Sequence, residues 1–205
     1  MILYKYRSLS NSKRLEFALD IFVNHRMHGA KFTDLNDPME GKYTRDIDQM
    51  NRQFIDDIRR DKMKYRIVSL SEKWNDVLMW IHYADNNAGI VVGVTLPNQN
   101  ATVEPVDYVD DLTAAINVPD IARGILMKKL KFWGYEKEQR VLFQQTSPEE
   151  PFIQVEVREL IFGFRAESHT KELISKIAEC FCPEIAIRTI KEHELETGTQ
   201  GVTGL

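Results

Sequence analysis

Arg7, the serine pair Ser69 and Ser71, and the glutamate pair Glu136 and Glu138 are the side chains whose types and spacing could do chemistry. An arginine offers a planar fork that matches phosphate oxygens. Residues at i and i+2 of a strand share a face, so each pair can look into one cleft. Glu136, Glu138 and Arg140 can equally form an ion-paired strand face with no chemistry, since surface pairs are common and contribute little. His82 and Tyr83 follow Met79 and Trp80 on a helical stretch. His82 can meet a phosphate or act as a base, although a histidine among aromatic residues more often only packs. Trp80 and Trp133 are core residues or platforms for a planar ring. Asp37, Glu40, Asp85, Glu136 and Glu138 could supply oxygen ligands to magnesium, as in a metal-dependent nuclease. No compact carboxylate motif supports that, and no metal ligand is assigned.

The elements that must position these residues follow from periodicity. Residues 2–7 alternate and are β-prone, which predicts a strand ending at Arg7. Ser10 or Asn11 caps a helix whose apolar positions are Leu15, Ala18, Leu19, Phe22 and Val23, with Gly29 as its stop. Asn36-Asp37-Pro38 is a turn signal. A polar helix over 43–62 carries a narrow stripe of Met50, Phe54 and Ile58. Residues 65–71 read as a strand, and a helix over 75–85 takes Asn75 as its cap. Ile90 to Val94 is a short β-branched run, hence a buried strand, with 103–109 expected to pair beside it. Residues 111–131 look helical with a break near Pro119. Strands follow at 140–144, 152–157 and 160–164, then a helix over 169–181 and a strand over 185–190. Strands arriving both singly and in consecutive runs predict an α+β fold of split antiparallel or mixed sheets with flanking helices. The expected organisation is one α+β domain over 1–190 and a flexible tail over 191–205.

Composition narrows the classes. The 205 residues are 43% hydrophobic and 28% charged, with a formal net charge of -4, which disfavours generic binding to duplex nucleic acid. No apolar run approaches the ~18 residues of a membrane span, and the first residues lack the apolar region of a signal peptide. Cys180 and Cys182 are too close for an unstrained disulfide and have no nearby partners for a metal site. Free thiols fit a reducing, cytoplasmic setting. Glycine-rich phosphate loops, His-Glu-x-x-His and Gly-x-Ser-x-Gly are absent.

Four segments carry a resemblance. They are Tyr4-Lys5-Tyr6-Arg7; Asn36-Asp37-Pro38-Met39-Glu40; Ser69-Leu70-Ser71-Glu72 with Met79-Trp80-Ile81-His82-Tyr83-Ala84; and Trp133-Gly134-Tyr135-Glu136-Lys137-Glu138-Gln139-Arg140. Together they resemble a bacterial domain family of unknown function, over most of residues 2–165. Met39 stands where that family often has Phe, Ile81 where it often has Ser, and Ala88 where a basic residue is common.

The order Arg7, Ser69-x-Ser71, Glu136-x-Glu138 also looks like the arginine-serine-glutamate pattern of ADP-ribosyltransferases, whose split pair of sheets clasps NAD. The resemblance implies an ADP-ribosyltransferase-like enzyme acting on NAD as substrate, in the manner of a bacterial toxin or phage-defence effector, with a protein or nucleic-acid acceptor. It implies Arg7 on the phosphates, Ser69 and Ser71 on the nicotinamide-ribose side, Glu138 on the ribose and Glu136 activating the acceptor. His82 and Tyr83 join the cofactor-binding candidates. The alternatives are a non-catalytic module that binds a nucleotide or a protein, and the metal-dependent nuclease.

Overall fold

The computed structural model describes residues 1–44, 52–97, 102–114, 118–145 and 151–196. In chain order the elements are β1 (Leu3–Arg7), α1 (Ser12–Val23), β2 (Arg26–His28), α2 (Arg52–Lys64), β3 (Tyr65–Ser71), α3 (Val77–Tyr83), β4 (Ile90–Thr95), β5 (Val103–Pro105) and β6 (Asp107–Val109). There follow α4 (Ile121–Leu126), β7 (Lys128–Leu130), β8 (Glu138–Gln144), β9 (Phe152–Gln154), β10 (Glu156–Phe162), α5 (Ser168–Phe181) and β11 (Ala186–Thr189). The fold is α+β, with mixed sheets and flanking helices. The chain forms two compact units: unit 1 comprises Met1–Met27, Leu70–Gln99 and Gln154–Leu205, and unit 2 comprises His28–Ser69 and Asn100–Ile153.

In unit 1 the β-branched run of β4 is buried along both faces, as its lack of polar alternation predicts. β1 lies antiparallel to it from Leu3↔Val94 to Arg7↔Ile90, and β10 lies antiparallel on its other side. β11 runs parallel to β10, and α5 forms the crossover between them. Trp80 of α3 is fully buried and meets Tyr6 edge-on, with centroids 5.6 Å apart. Its indole N–H donates to Trp74 O at 2.8 Å, which satisfies the polar end of a ring that burial takes from water.

In unit 2, β3 neighbours β8, and β8 pairs antiparallel with β5 from Val103↔Val141 to Pro105↔Gln139. β6 and β7 pair in parallel. Tyr65, Ile67, Ala122, Leu126 and Leu142 make a core that Phe32, Leu35 and Met127 extend.

Several boundaries differ from expectation. α1 takes Asn11, one of the two expected caps, which accepts from Arg14 N, but the helix stops at Val23 rather than near Gly29, and His25 turns the chain at φ 51°. Asp76, not Asn75, caps α3, accepting from Leu78 N and Met79 N. The expected helix over 111–131 contracts to α4, because the Asp111 carboxylate captures Thr113 N at 2.9 Å and turns the backbone. Residues 103–109 split into β5 and β6, which pair with β8 and β7. Of the helix expected over 43–62, residues 45–51 lie outside the described residues, Met50 among them. The expected tail begins with six placed residues: Glu196 N donates to Asn75 O, and Lys73 pairs with Glu196 at 2.5 Å. Its remainder, 197–205, lies outside the described residues.

Candidate functional site in the second unit

β8 opens with Glu138, and its third residue, Arg140, carries a fully buried guanidinium. Arg140 holds Glu138 through two contacts, Nε–Oε1 at 2.7 Å and Nη2–Oε2 at 3.1 Å. It grips Glu40 with a second fork, Nη1–Oε1 at 2.6 Å and Nη2–Oε2 at 2.8 Å, and donates to Leu126 O. Lys129 of β7 approaches from the other side, 2.5 Å from Glu136 and 3.4 Å from Glu138. Its ammonium lies over the Trp133 ring at 4.7 Å. Glu40, Lys129, Glu136, Glu138 and Arg140 are each at most 7% exposed. Three carboxylates thus face two cations away from water, an arrangement that stands only because nearly every oxygen is matched to a donor.

The sequence places Glu136 and Glu138 on one strand face. The structure instead puts Glu136 at the end of a 3-10 turn, Lys131–Glu136, and Lys137 leaves that turn in the left-handed region at φ 44°. The two glutamates still converge, on Lys129. A solvated face was the plain alternative; the cluster is ion-paired but buried.

Burial by itself would raise Glu138. The charges of Arg140 and Lys129, with hydrogen bonds from Arg140 and Ser69, outweigh it and hold the carboxyl at about 2. Ser69 of β3 therefore meets Glu138. Glu138 N donates to the Tyr108 hydroxyl at 2.9 Å, and burial, ahead of the Glu138 and Glu136 charges, pushes that phenol up.

Ser71, Arg7, His82, Tyr83 and Asp85 belong to unit 1. Ser71 is buried, and its hydroxyl accepts from Lys73 N at 3.1 Å. Arg7 is half-buried; its Nε has no hydrogen-bond partner among the described residues, and burial lowers its pKa to about 10. His82 is exposed in the last turn of α3, edge-on to Tyr83 at 6.3 Å. Beyond them Asp85, Asn86 and Asn87 all adopt positive φ, 49°, 52° and 69°. Asp85 is tied to the end of β1 by the Ser8 hydroxyl and by Leu9 N at 2.6 Å.

Among the described residues no group of three or more His, Cys, Asp or Glu side chains could hold a metal ion. The reason is visible locally: Glu40 and Glu138 spend their oxygens on Arg140, and Asp85 spends both on Ser8 and Leu9. No helix among the described residues is long and apolar enough to cross a membrane.

Sequence reasoning missed Lys129 and Lys62. Lys62 had a signal: it continues the 54, 58 series of α2, where the apolar stripe calls for another apolar residue. Lys129 had none, since nothing in Lys128-Lys129-Leu130 distinguishes a buried lysine from a solvated one.

No family model matches the chain, and no curated protein or solved structure matches it.

Proposed function

We propose that this chain acts on NAD in the manner of ADP-ribosyltransferases, releasing nicotinamide, with Glu138 as the fixed anion. The observation that carries the reading is the hydrogen bond between Ser69 and Glu138, which joins two of the three segments of the arginine-serine-glutamate pattern. Nicotinamide leaves as a neutral base from a cationic glycoside, so cleavage requires no general acid. It requires stabilisation of an oxocarbenium-like ribose, which a permanently ionised carboxylate provides. Glu138 is held ionised, and its cluster has one more carboxylate than it has cations. Glu136 is the companion carboxylate for the acceptor. The resemblance assigns the phosphates to Arg7, whose Nε has no hydrogen-bond partner among the described residues. An ADP-ribosyltransferase-like arrangement of the sheets belongs to the same proposal.

The test is nicotinamide release from NAD, followed by chromatography. Wild type is expected to release it, and Glu138→Gln to lose about 10²–10³-fold in rate while keeping its circular dichroism spectrum. A wild-type protein that releases none, or a Glu138→Gln protein at full rate, overturns the assignment.

One observation favours a second reading, a non-catalytic nucleotide-binding module. Glu138 is 4% exposed, and Arg140 engages both of its oxygens. Calorimetric binding of NAD without turnover would select that reading.

A further inference from the structure

Unit 2 also contains a cavity of about 640 Å³, within the size range of small-molecule sites. Its lining includes Phe32, Asp37, Glu40, Tyr43, Arg59 and Lys62. Lys62 is 6% exposed although it sits on a polar helix. Its ammonium donates to Gly41 O at 2.6 Å and lies 4.8 Å from the Phe32 ring centroid and 5.1 Å from that of Tyr43. An ammonium carries three donors, and among the described residues only one of these meets a protein acceptor at hydrogen-bond distance. Burial lowers the pKa of Lys62, and among the described residues the neighbouring charge that acts on it, Arg59, has the same sign and lowers it further.

Of the cavity's own carboxylates, Glu40 is wholly committed elsewhere and Asp37 through one oxygen. Glu40 turns both oxygens to Arg140, and Asp37 accepts from Met39 N at 2.8 Å within its turn. Gly41 stands at φ +66°, and a Cβ there would lie 2.6 Å from the Phe32 ring, so this glycine lets the ring and the lysine's acceptor share one corner. Three cations, Lys42, Arg59 and Lys62, and two aromatic rings therefore line a cavity where, among the described residues, no carboxylate acts on the buried Lys62. A buried cation without a counter-ion is costly, and an incoming anion relieves that cost.

We propose that this cavity binds a small planar anion, of the class of a nucleoside monophosphate or an aromatic carboxylate, with the anion on Lys62 and Arg59 and the plane against Phe32 and Tyr43. The site touches the Glu138 cluster only through Glu40 and is read by binding, so it holds or fails independently of nicotinamide release.

The experiment is isothermal calorimetry on the full chain with AMP, benzoate, adenosine and inorganic phosphate. AMP or benzoate is expected to bind, and whichever binds more tightly identifies the source of the anion. Adenosine, which lacks the charge, and phosphate, which lacks the plane, should each bind at least tenfold more weakly than AMP. Lys62→Met, which keeps the side chain's length and removes its charge, should weaken the preferred anion at least tenfold and change adenosine affinity less than twofold. Thermal melting checks that the variant is folded; if it is not, Arg59→Gln serves in its place with the same expected direction. Failure of both AMP and benzoate to bind wild type at millimolar concentration overturns the proposal. So does anion affinity within twofold of wild type in the folded variant.

Discussion

A carboxylate withdrawn from water must regain its hydrogen bonds from the protein, and Glu138 does so from Arg140, Lys129 and Ser69. The stability consequence has a definite sign. The folded pKa, about 2, lies below the ordinary 4.5, so the ionised form is the one folding favours. Its contribution is fully present above pH 4.5 and is lost as pH falls through about 2. Urea midpoints for wild type should fall between pH 5 and 2.5, and Glu138→Gln should flatten that dependence; an equal slope in both would sink the account. Ser69 and Glu138 were both legible as candidates in residue type and order, but the bond between them was not. The route of Glu136 was not, because a left-handed Lys137 has no sequence signature comparable to that of glycine.

At the scale of elements, the segments with strong period were legible and the short ones were not. β4 declares itself by an unbroken β-branched run, and α1 and α5 by apolar spacing. α4 and β7 are six and three residues long, too short for periodicity to separate them from one helix. The start of α3 turned on a choice between adjacent capping residues. Asp76 takes the role by accepting from two backbone N–H groups, while Asn75 Nδ2 donates to Glu194 O. Asp76→Ala should therefore cost about 1–2 kcal/mol, and Asn75→Ala measurably less. Equilibrium urea denaturation of both variants decides this, and equal losses would show that the cap has been misassigned. α3 carries His82 and Tyr83 and leads into the left-handed run at Asp85, so its register sets the position of three candidate residues.

At the scale of the whole molecule, neither unit is built from one continuous stretch of chain. Unit 1 draws on three stretches and unit 2 on two. In unit 1, β4 from the middle stretch lies between β1 from the first and β10 from the last. Such pairings join residues far apart in sequence, and their loop-closure cost is repaid only when both neighbours are in place. A chain ending at Ile153 lacks β10, α5 and β11. It would leave the buried run of Ile90, Val91, Val92 and Val94 with an unpaired edge, and exposed apolar edges of that kind recruit other chains. Residues 1–153 are therefore expected to aggregate on expression, or to lose cooperative unfolding. Soluble yield, gel filtration and a urea titration followed by tryptophan fluorescence measure this. Trp74 and Trp80 lie in unit 1 and Trp133 in unit 2, so the fluorescence reports on both. A soluble monomer of 1–153 with the full-length midpoint would mean that β1 and β4 need no strand from the last stretch, and the order of assembly argued from the pairing would be wrong.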